Sequence, residues 1–289
     1  MKTAVLRANV LAMITLVCSS VACSQTTSAP AADKPPAAPP PGAATDAGAP
    51  AAAADPEVDK ILTRLETREI RDLQAKLTWE LKYVLGLPGE EDVKRGEIWY
   101  QKKGQAARFL IDFKEMVRSR AVRPMDEKHL FDGQWYVEQV GRTKTVTRRQ
   151  IRRDGEAGDP FKLGEGPFPV PFGQKKSDIL REFQVARAPA DKNDPAETDH
   201  LVLLPRAESS MADRYKQLDF WISREGEIAG LPVKLQFAQL KGTGMVDSYV
   251  TIQFEKARLN SGFADTMFKL DTPAGYDEIV EPLASPNKQ

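Results

Sequence analysis

Histidine and cysteine, the side chains that most often bind metals or act as nucleophiles, are scarce in this 289-residue chain. There are two of each, namely His129, His200, Cys18 and Cys23. A Cys-rich zinc module, an iron–sulfur protein and a disulfide scaffold are therefore excluded. The acids of residues 197–200 beside His200 could suggest a metal ligand, but this pattern is more typical of a solvated loop. We expect His129, at the start of a strand, to serve packing or to lie at the surface.

No motif of an enzyme active site is present. The chain lacks a Gly-x-Ser-x-Gly elbow, a phosphate-binding Gly loop, a dinucleotide fingerprint and an HExxH helix. The acidic run 90–92 follows Pro88-Gly89 and predicts an exposed turn. A hydrolase of envelope lipids would need a nucleophile and a base in one cleft, and neither histidine has that context. We therefore predict that the protein is not an enzyme and has no metal or cofactor.

The charge balance argues against a nucleic-acid partner. Lys plus Arg number 41 and Asp plus Glu number 41, so the formal net charge is zero, whereas nucleic-acid binders usually show a basic excess. One stretch is locally basic and could contact anionic lipid head groups; it could equally be a solvated strand and turn with acids nearby. Its basic residues are Arg142, Lys144, Arg148, Arg149, Arg152 and Arg153.

The N-terminus predicts an export signal. Lys2 and Arg7 give a positive start, and the apolar run 10–17 is too short for an ordinary membrane span. Small residues then stand directly before Cys23. This pattern is typical of a secretory signal peptide, which we assign to residues 1–22.

Cleavage there would make Cys23 the first residue of the mature chain and its only cysteine, because Cys18 would be removed. The placement resembles a bacterial lipoprotein, whose first cysteine receives diacylglycerol and an N-acyl chain. Ordinary cleavage that leaves a free thiol is the alternative. In lipoprotein sorting, a residue other than Asp after the cysteine, here Ser24, implies the outer membrane. The expectation is thus a periplasmic protein anchored to the outer membrane by lipidated Cys23.

Residues 23–55 contain the lipidation site and an Ala- and Pro-rich stretch without large apolar side chains. Such a segment cannot bury enough surface to fold, so we predict a disordered linker. Extended polyproline II would reach on the order of 100 Å over about 33 residues. The linker is either a spacer from a membrane or low-complexity padding. The remaining residues, 56–289, are predicted to form one domain and to act as a monomer.

Two helices are predicted in that domain. Asp55, Pro56 and Glu57 supply a cap, a first-turn proline and an acid at the positive end of the helix dipole. The helix is expected over residues 56–72, with a shorter one near 175–182 capped by Ser177. The longer helix has an apolar stripe at i, i+3, i+4 and i+7 formed by Val58, Ile61, Leu62 and Leu65.

Most of the domain alternates with period two. In residues 76–85 the odd positions from Leu77 are apolar and most even ones are polar, which predicts a half-buried antiparallel strand. Many such strands with few helices predict a curled sheet or an open barrel. The apolar, Pro- and Gly-rich segment 166–173 is expected at its rim. Further strands are predicted around 98–100, 109–113, 116–123, 128–132, 134–140, 143–149, 183–188, 200–205, 218–222, 233–237 and 250–254.

Several segments, in order, resemble the LolA/LolB superfamily of outer-membrane lipoprotein carriers. They are the helix Val58–Leu65, the strand pair Arg95–Tyr100 and Ala107–Ile111, the Asp-Gly hairpin Leu130–Tyr136 and the closing strand Phe268–Asp277. The resemblance implies an incomplete antiparallel β-barrel of about eleven strands with a helical lid and an apolar cavity. It also implies binding of acyl chains without catalysis. A family arginine that helps to hold the lid closed is best matched by Arg108.

We therefore expect an envelope lipoprotein that binds the acyl chains of lipids or lipoproteins and acts in lipoprotein sorting or localisation at the outer membrane. The lid would be the stripe Val58, Ile61, Leu62 and Leu65. The same stripes could instead fill a closed core. A sensor or protein-binding module that moves no cargo is the alternative function. The cavity is predicted to be lined by Leu77, Trp79, Leu81, Ile98, Tyr100, Phe109, Ile111, Phe113, Leu235, Phe237, Val250 and Ile252.

Overall fold

The structure is a computed structural model that describes residues 55–87, 90–104, 106–153, 156, 173–242 and 244–284. The predicted signal peptide, Cys23 and nearly all of the predicted linker lie outside the described residues. So does the predicted rim segment, apart from Gly173. Among the described residues, none of the helices combines the length and the apolar character needed to cross a bilayer.

Strands dominate the described part of the chain, as predicted. The two α-helices are α1 (Pro56–Thr67) and α2 (Lys176–Glu182), and a 3-10 helix covers Asp265–Phe268. The strands are β1 (Asp72–Tyr83), β2 (Asp92–Lys103), β3 (Ala106–Arg118), β4 (Ala121–Phe131), β5 (Trp135–Val140), β6 (Thr145–Gln150), β7 (Phe183–Arg187), β8 (Thr198–Pro205), β9 (Tyr215–Ser223), β10 (Pro232–Lys241), β11 (Met245–Leu259) and β12 (Asp277–Glu281).

These strands form a single open sheet in the order β12-β6-β5-β4-β3-β2-β1-β11-β10-β9-β8-β7. All neighbouring strands are antiparallel except β12, which runs parallel to β6. Strands β7 and β12 are the two edges. The predicted mainly-β fold, an open antiparallel barrel-like sheet with a helical lid, is confirmed, with twelve strands in the described residues rather than about eleven.

Several predicted boundaries were wrong. Helix α1 ends at Thr67 rather than at 72, because Asp72 already belongs to β1 and its carboxylate accepts backbone N–H bonds from Ser261 and Gly262. The side chain of Ser177 does not cap α2, which starts after Lys175 without a side-chain cap. The predicted closing strand 268–277 is mostly irregular, and pairing begins only at Asp277.

The predicted strand 116–123 is interrupted by a tight turn between β3 and β4. Ser119 and Arg120 both have positive φ values, 49° and 64°. Two such residues match the twist of a two-residue hairpin loop. The sequence gives no warning there, because glycine, asparagine or aspartate usually fills these positions.

Gly96 allows a close approach inside the sheet. A Cβ atom at this position would overlap the backbone carbonyl of Asp112 on β3. The register between β2 and β3 shifts between Arg95 and Gly96, which marks a β-bulge.

Other parts of the chain pack against both faces of the sheet. We call the face that packs against α1 the inner face and the opposite one the outer face. On the outer face, Phe268 joins Leu130, Val137 and Val146 in a core covered by the segment after β11. The C-terminal segment thus covers the part of the outer face on β4–β6, whereas α1 covers part of the inner face.

Candidate ligand-binding face

All twelve residues predicted to line a cavity are buried and share the inner face, at most 6% exposed. The register explains why they meet. Leu235 of β10 lies opposite Ile252 of β11, which lies opposite Trp79 of β1. The next row contains Phe237, Val250 and Leu81 in the same way. The alternation of side chains along each strand thus builds one continuous apolar surface across the centre of the sheet.

The four predicted lid residues of α1 are buried as well. Val58, Ile61, Leu62 and Leu65 are at most 3% exposed. The contact between Arg64 and Asp199 shows that α1 lies on the inner face. Asp199 pairs with Ile222 of β9 and points to the same side of the sheet as Leu201, two positions further along β8. The apolar stripe of the helix therefore faces the sheet.

Polar contacts attach α1 at its sides. Arg64 Nη2 donates to Asp199 Oδ2 at 2.6 Å, and Arg187 reaches the other carboxylate oxygen at 3.4 Å. Arg68 donates to the carbonyl oxygen of Glu227, and Lys176 of α2 forms an ion pair with Asp59. These contacts are few and partly exposed, so individually they stabilise the closed helix only modestly.

Arg108 does not contact α1, and the expectation drawn from the resemblance is corrected. Its guanidinium donates to Gln101 and Asp265 and lies 4.3 Å from the centre of the Phe268 ring. Because the neighbouring Phe109 points to the inner face, the pleat turns Arg108 to the outer face. It fixes the 3-10 helix there. Arg64 is the arginine that joins the helix to the sheet.

A buried polar cluster, which sequence reasoning missed, occupies the inner face on β2, β4 and β5. Lys94 Nζ donates to Glu127 Oε1 at 2.6 Å, and His129 Nε2 lies 2.9 Å from the same oxygen. Because a carboxylate can only accept, Nε2 carries a proton, and in the neutral ring Nδ1 accepts from the Tyr136 hydroxyl at 2.5 Å. We call Lys94, Glu127, His129 and Tyr136 the polar cluster. All four are at most 6% exposed.

The cluster lies among aromatic rings of the same face. Lys94 Nζ is 5.3 Å from the centre of the Trp79 ring and 5.6 Å from that of Phe113. The Phe113 ring also meets His129 edge-on. The signal was present in the sequence, because Lys94 has the same parity along β2 as the apolar Ile98 and Tyr100.

The electrostatics of the cluster favour a charged carboxylate. Burial would raise the pKa of Glu127, but the hydrogen bonds that it accepts from His129 and Lys94, and the electrostatic attraction to these two groups, outweigh it and lower the pKa to about 2. Burial also raises the pKa of Glu138, which lies two residues after Tyr136 on β5. It raises the pKa of Tyr136 well above its usual value. The lowered pKa keeps the Glu127 carboxylate charged at neutral pH, in contact with Lys94 at 2.6 Å.

A cavity of about 280 Å³ lies elsewhere, at the end of the sheet where β1, β2 and β3 turn. Tyr83, Leu87 and Arg118 are among its walls, and none of the twelve predicted lining residues borders it. Leu85, the last apolar position of the predicted first strand, is 96% exposed beside it because β1 already ends at Tyr83.

His200 is not in a solvated loop, and the strand predicted over 200–205 includes it instead. It lies on β8, 16% exposed, stacks on Trp221 with ring centres 4.3 Å apart and contacts Asp219 at 2.9 Å. Trp221 in turn donates to Asp194 at 2.5 Å. Within the described residues, no group of three or more His, Cys, Asp or Glu side chains is placed to hold a metal ion.

Part of the basic stretch is neutralised inside the molecule. Arg148 pairs with Glu278 and also donates to the carbonyl oxygen of Leu270, and Arg149 pairs with Glu281. These bonds connect β6 to β12 and favour the interpretation of a strand with acids nearby.

No family model matches the chain, and no curated protein matches it. Solved structures are similar. A LolA superfamily protein from Nitrosomonas europaea has a TM-score of 0.36 and 11% identity, covering 73% of this chain and 97% of its own. LprF from Mycobacterium bovis has a TM-score of 0.40 and 13% identity, and the match covers 73% of this chain and 96% of LprF. An uncharacterized conserved protein from Thermus thermophilus has a TM-score of 0.43 and 11% identity, and the match covers 78% of this chain and 99% of the Thermus protein. With TM-scores below 0.5, these similarities carry no argument about the function of this chain.

Proposed function

We propose that the protein binds the acyl chains of lipids or lipoproteins between the inner face and α1, as an envelope lipoprotein that acts in lipoprotein sorting or localisation at the outer membrane. The observation that supports the proposal is the buried apolar surface across β1, β11 and β10, on the same face of the sheet that a separate amphipathic helix covers at its β7–β8 end. Within the described residues, that helix is held by side-chain packing and by a few polar contacts, those of Arg64, Arg68, Asp59 and Thr63.

The magnitudes allow an exchange of helix for ligand. Burying the four apolar side chains of α1 stabilises the closed state by about 1.5–3 kcal/mol each, so roughly 6–12 kcal/mol altogether. A sixteen-carbon chain gains about 0.8 kcal/mol per buried methylene, roughly 12 kcal/mol. An acyl chain can therefore replace the stripe of α1 on the inner face at little net cost.

The test is a competition experiment on the mature chain with N-phenyl-1-naphthylamine, a neutral dye that fluoresces in apolar surroundings. We expect saturable dye binding and displacement by palmitate at stoichiometric amounts. Linear, non-saturable fluorescence, or a dye signal that palmitate does not change, would contradict acyl-chain binding.

Export, cleavage before Cys23 and lipidation of that residue are part of the proposal and explain the linker as a spacer. The mass of the mature N-terminal peptide tests them. We expect a diacylglycerol and an N-acyl chain on Cys23, and an unmodified cysteine would contradict membrane anchoring.

A protein-binding module without cargo is a second candidate. It is favoured by the exposed apolar side chains Leu85, Leu87 and Met245. Mass spectrometry of the protein purified gently from its native envelope separates the two functions. Co-purified acyl lipid supports the first, and a stoichiometric protein partner without lipid supports the second.

A further inference from the structure

Trp79 contains a buried donor without an acceptor. Its indole Nε1 has no hydrogen-bond partner among the described residues, although the side chain is only 4% exposed. Buried polar groups are nearly always paired, and a buried donor left unpaired destabilises a fold. An unpaired indole N–H at such a position therefore points to an acceptor that arrives from outside.

Lys94 places a second donor beside this one. Trp79 on β1 and Lys94 on β2 are directly opposite in the sheet register, and Nζ lies 5.3 Å from the centre of the indole ring. An ammonium group has three N–H bonds, and among the described residues Lys94 uses one of them, toward Glu127. Two donors of Lys94 thus have no oxygen acceptor in the described part of the chain and lie beside the same indole ring that carries the unpaired N–H.

The polar cluster fixes the position of this ammonium group. Glu127 holds Lys94 and is itself held by His129, which is bonded to Tyr136. The cluster is a chain of hydrogen bonds anchored on three strands, so Lys94 cannot readily turn away to solvent. A donor that is held in place binds an incoming acceptor with less loss of side-chain entropy.

An apolar row leads across the sheet to these donors. Neighbouring strands are about 4.8 Å apart, so its five apolar members span roughly 19 Å, comparable with an extended sixteen-carbon chain. From β8 to β2 the row consists of Leu201, Phe220, Leu235, Ile252, Trp79 and Lys94.

We propose that Trp79 Nε1 and Lys94 Nζ bind the oxygen of an acyl group, a carboxylate or an ester carbonyl, while its hydrocarbon chain follows the apolar row toward β8, where α1 covers the inner face. This inference rests on the proposed acyl-chain binding and adds what the site recognises. The inner face distinguishes an acyl chain from a plain hydrocarbon by the oxygen at its end.

The experiment compares three ligands of equal chain length, palmitate, methyl palmitate and hexadecane. Each is delivered from methyl-β-cyclodextrin and displaces N-phenyl-1-naphthylamine from the full mature chain. We expect both oxygen-bearing ligands to bind at least about ten-fold more tightly than hexadecane, because each gains hydrogen bonds. Tighter binding of palmitate than of methyl palmitate would assign the carboxylate as the recognised group. Equal affinities of the two would assign the carbonyl.

Trp79→Phe removes the N–H and keeps an aromatic ring. It should weaken the binding of palmitate and methyl palmitate about three- to ten-fold and leave the binding of hexadecane unchanged. Trp99→Phe, on the opposite face of the neighbouring strand, is the matched control and should change none of the three. An equal loss for all three ligands would make Trp79 a packing residue and overturn the inference.

Lys94→Met combined with Glu127→Gln removes the second donor without leaving a buried carboxylate unpaired. It should weaken palmitate more than hexadecane, and circular dichroism confirms that the variant folds. If the three ligands bind the parent protein equally, the inference is overturned while acyl-chain binding stands. If none of them displaces the dye, the proposed function fails and the inference fails with it.

Discussion

The inner face has two regions that differ in chemistry although the same strand alternation builds both. The apolar region, on β1 and β8–β11, contains side chains such as Leu235 and Ile252. The polar region, on β2, β4 and β5, contains the polar cluster. Apolar contacts are non-directional and can be exchanged for those of a ligand, whereas a buried ion pair depends on every one of its partners. The first region is suited to a replaceable chain, and the second to a fixed contact at its end.

The largest effect should come from breaking the polar region. Lys94→Met leaves Glu127 buried with His129 as its remaining partner, and removing one member of a buried ion pair destabilises by about 3–5 kcal/mol. Urea unfolding measures the loss. Adding Glu127→Gln should restore most of it, and a single-variant loss below about 1 kcal/mol would show that the pair is not truly desolvated.

Acid should act through the same carboxylate. The pKa of Glu127 is lowered from 4.5 to about 2, so its charged form stabilises the fold above pH 4.5. This contribution, on the order of 3 kcal/mol, is lost as the pH falls from 4.5 toward 2. Glu127→Gln should lack that part of the decline in the free energy of unfolding. Lys94, His129, Tyr136 and Glu138 face the carboxyl in the parent and stay in the variant, and superimposable pH curves would contradict the assignment.

The apolar region should respond locally rather than globally. Leu62→Ala removes a fully buried side chain of α1 and should lower the free energy of opening that helix by about 2 kcal/mol. Hydrogen exchange should then speed up in α1 but not in β1. Leu130→Ala, in the outer core, is the control and should instead lower the free energy of global unfolding. Equal acceleration throughout the sheet by Leu62→Ala would mean that α1 is not a separate lid.

The smallest effect is expected at the edge of the lid. Asp199→Asn weakens the contact with Arg64, which is worth about 0.5–1 kcal/mol at a partly exposed position. Stopped-flow dye binding should become faster by about two- to five-fold. Asp265→Asn removes an outer-face partner of Arg108 and should leave the rate unchanged. A slower rate in Asp199→Asn would contradict a closing role for this ion pair.

The periodicity of apolar residues predicted the apolar region well. It failed where a charged residue occupies an inward-facing position. The stripe of α1 and the alternation around Leu77 and Phe109 identified buried faces because burial follows the helical and strand periods. Lys94 was missed because a lysine at an inward position looks like an exposed one. Only the carboxylate of Glu127, 33 positions away along the chain, makes its burial tolerable.

Arg108 shows the opposite failure, because a role taken from a resemblance was not checked against the pleat. Phe109 was predicted inward, so its neighbour had to face outward. The turn at Ser119 and Arg120 was missed for a third reason, since its backbone conformation is imposed by the two strands rather than by local turn residues.

Photo-crosslinking with palmitate that carries a diazirine at its terminal carbon tests most directly where the ligand lies. After irradiation of the mature chain, peptide mapping should find adducts in α1 and in β8–β10, and excess palmitate should abolish them. Adducts confined to the end of the sheet around Leu85 and Leu87, or adducts that unlabelled palmitate does not reduce, would contradict acyl-chain binding between α1 and the inner face.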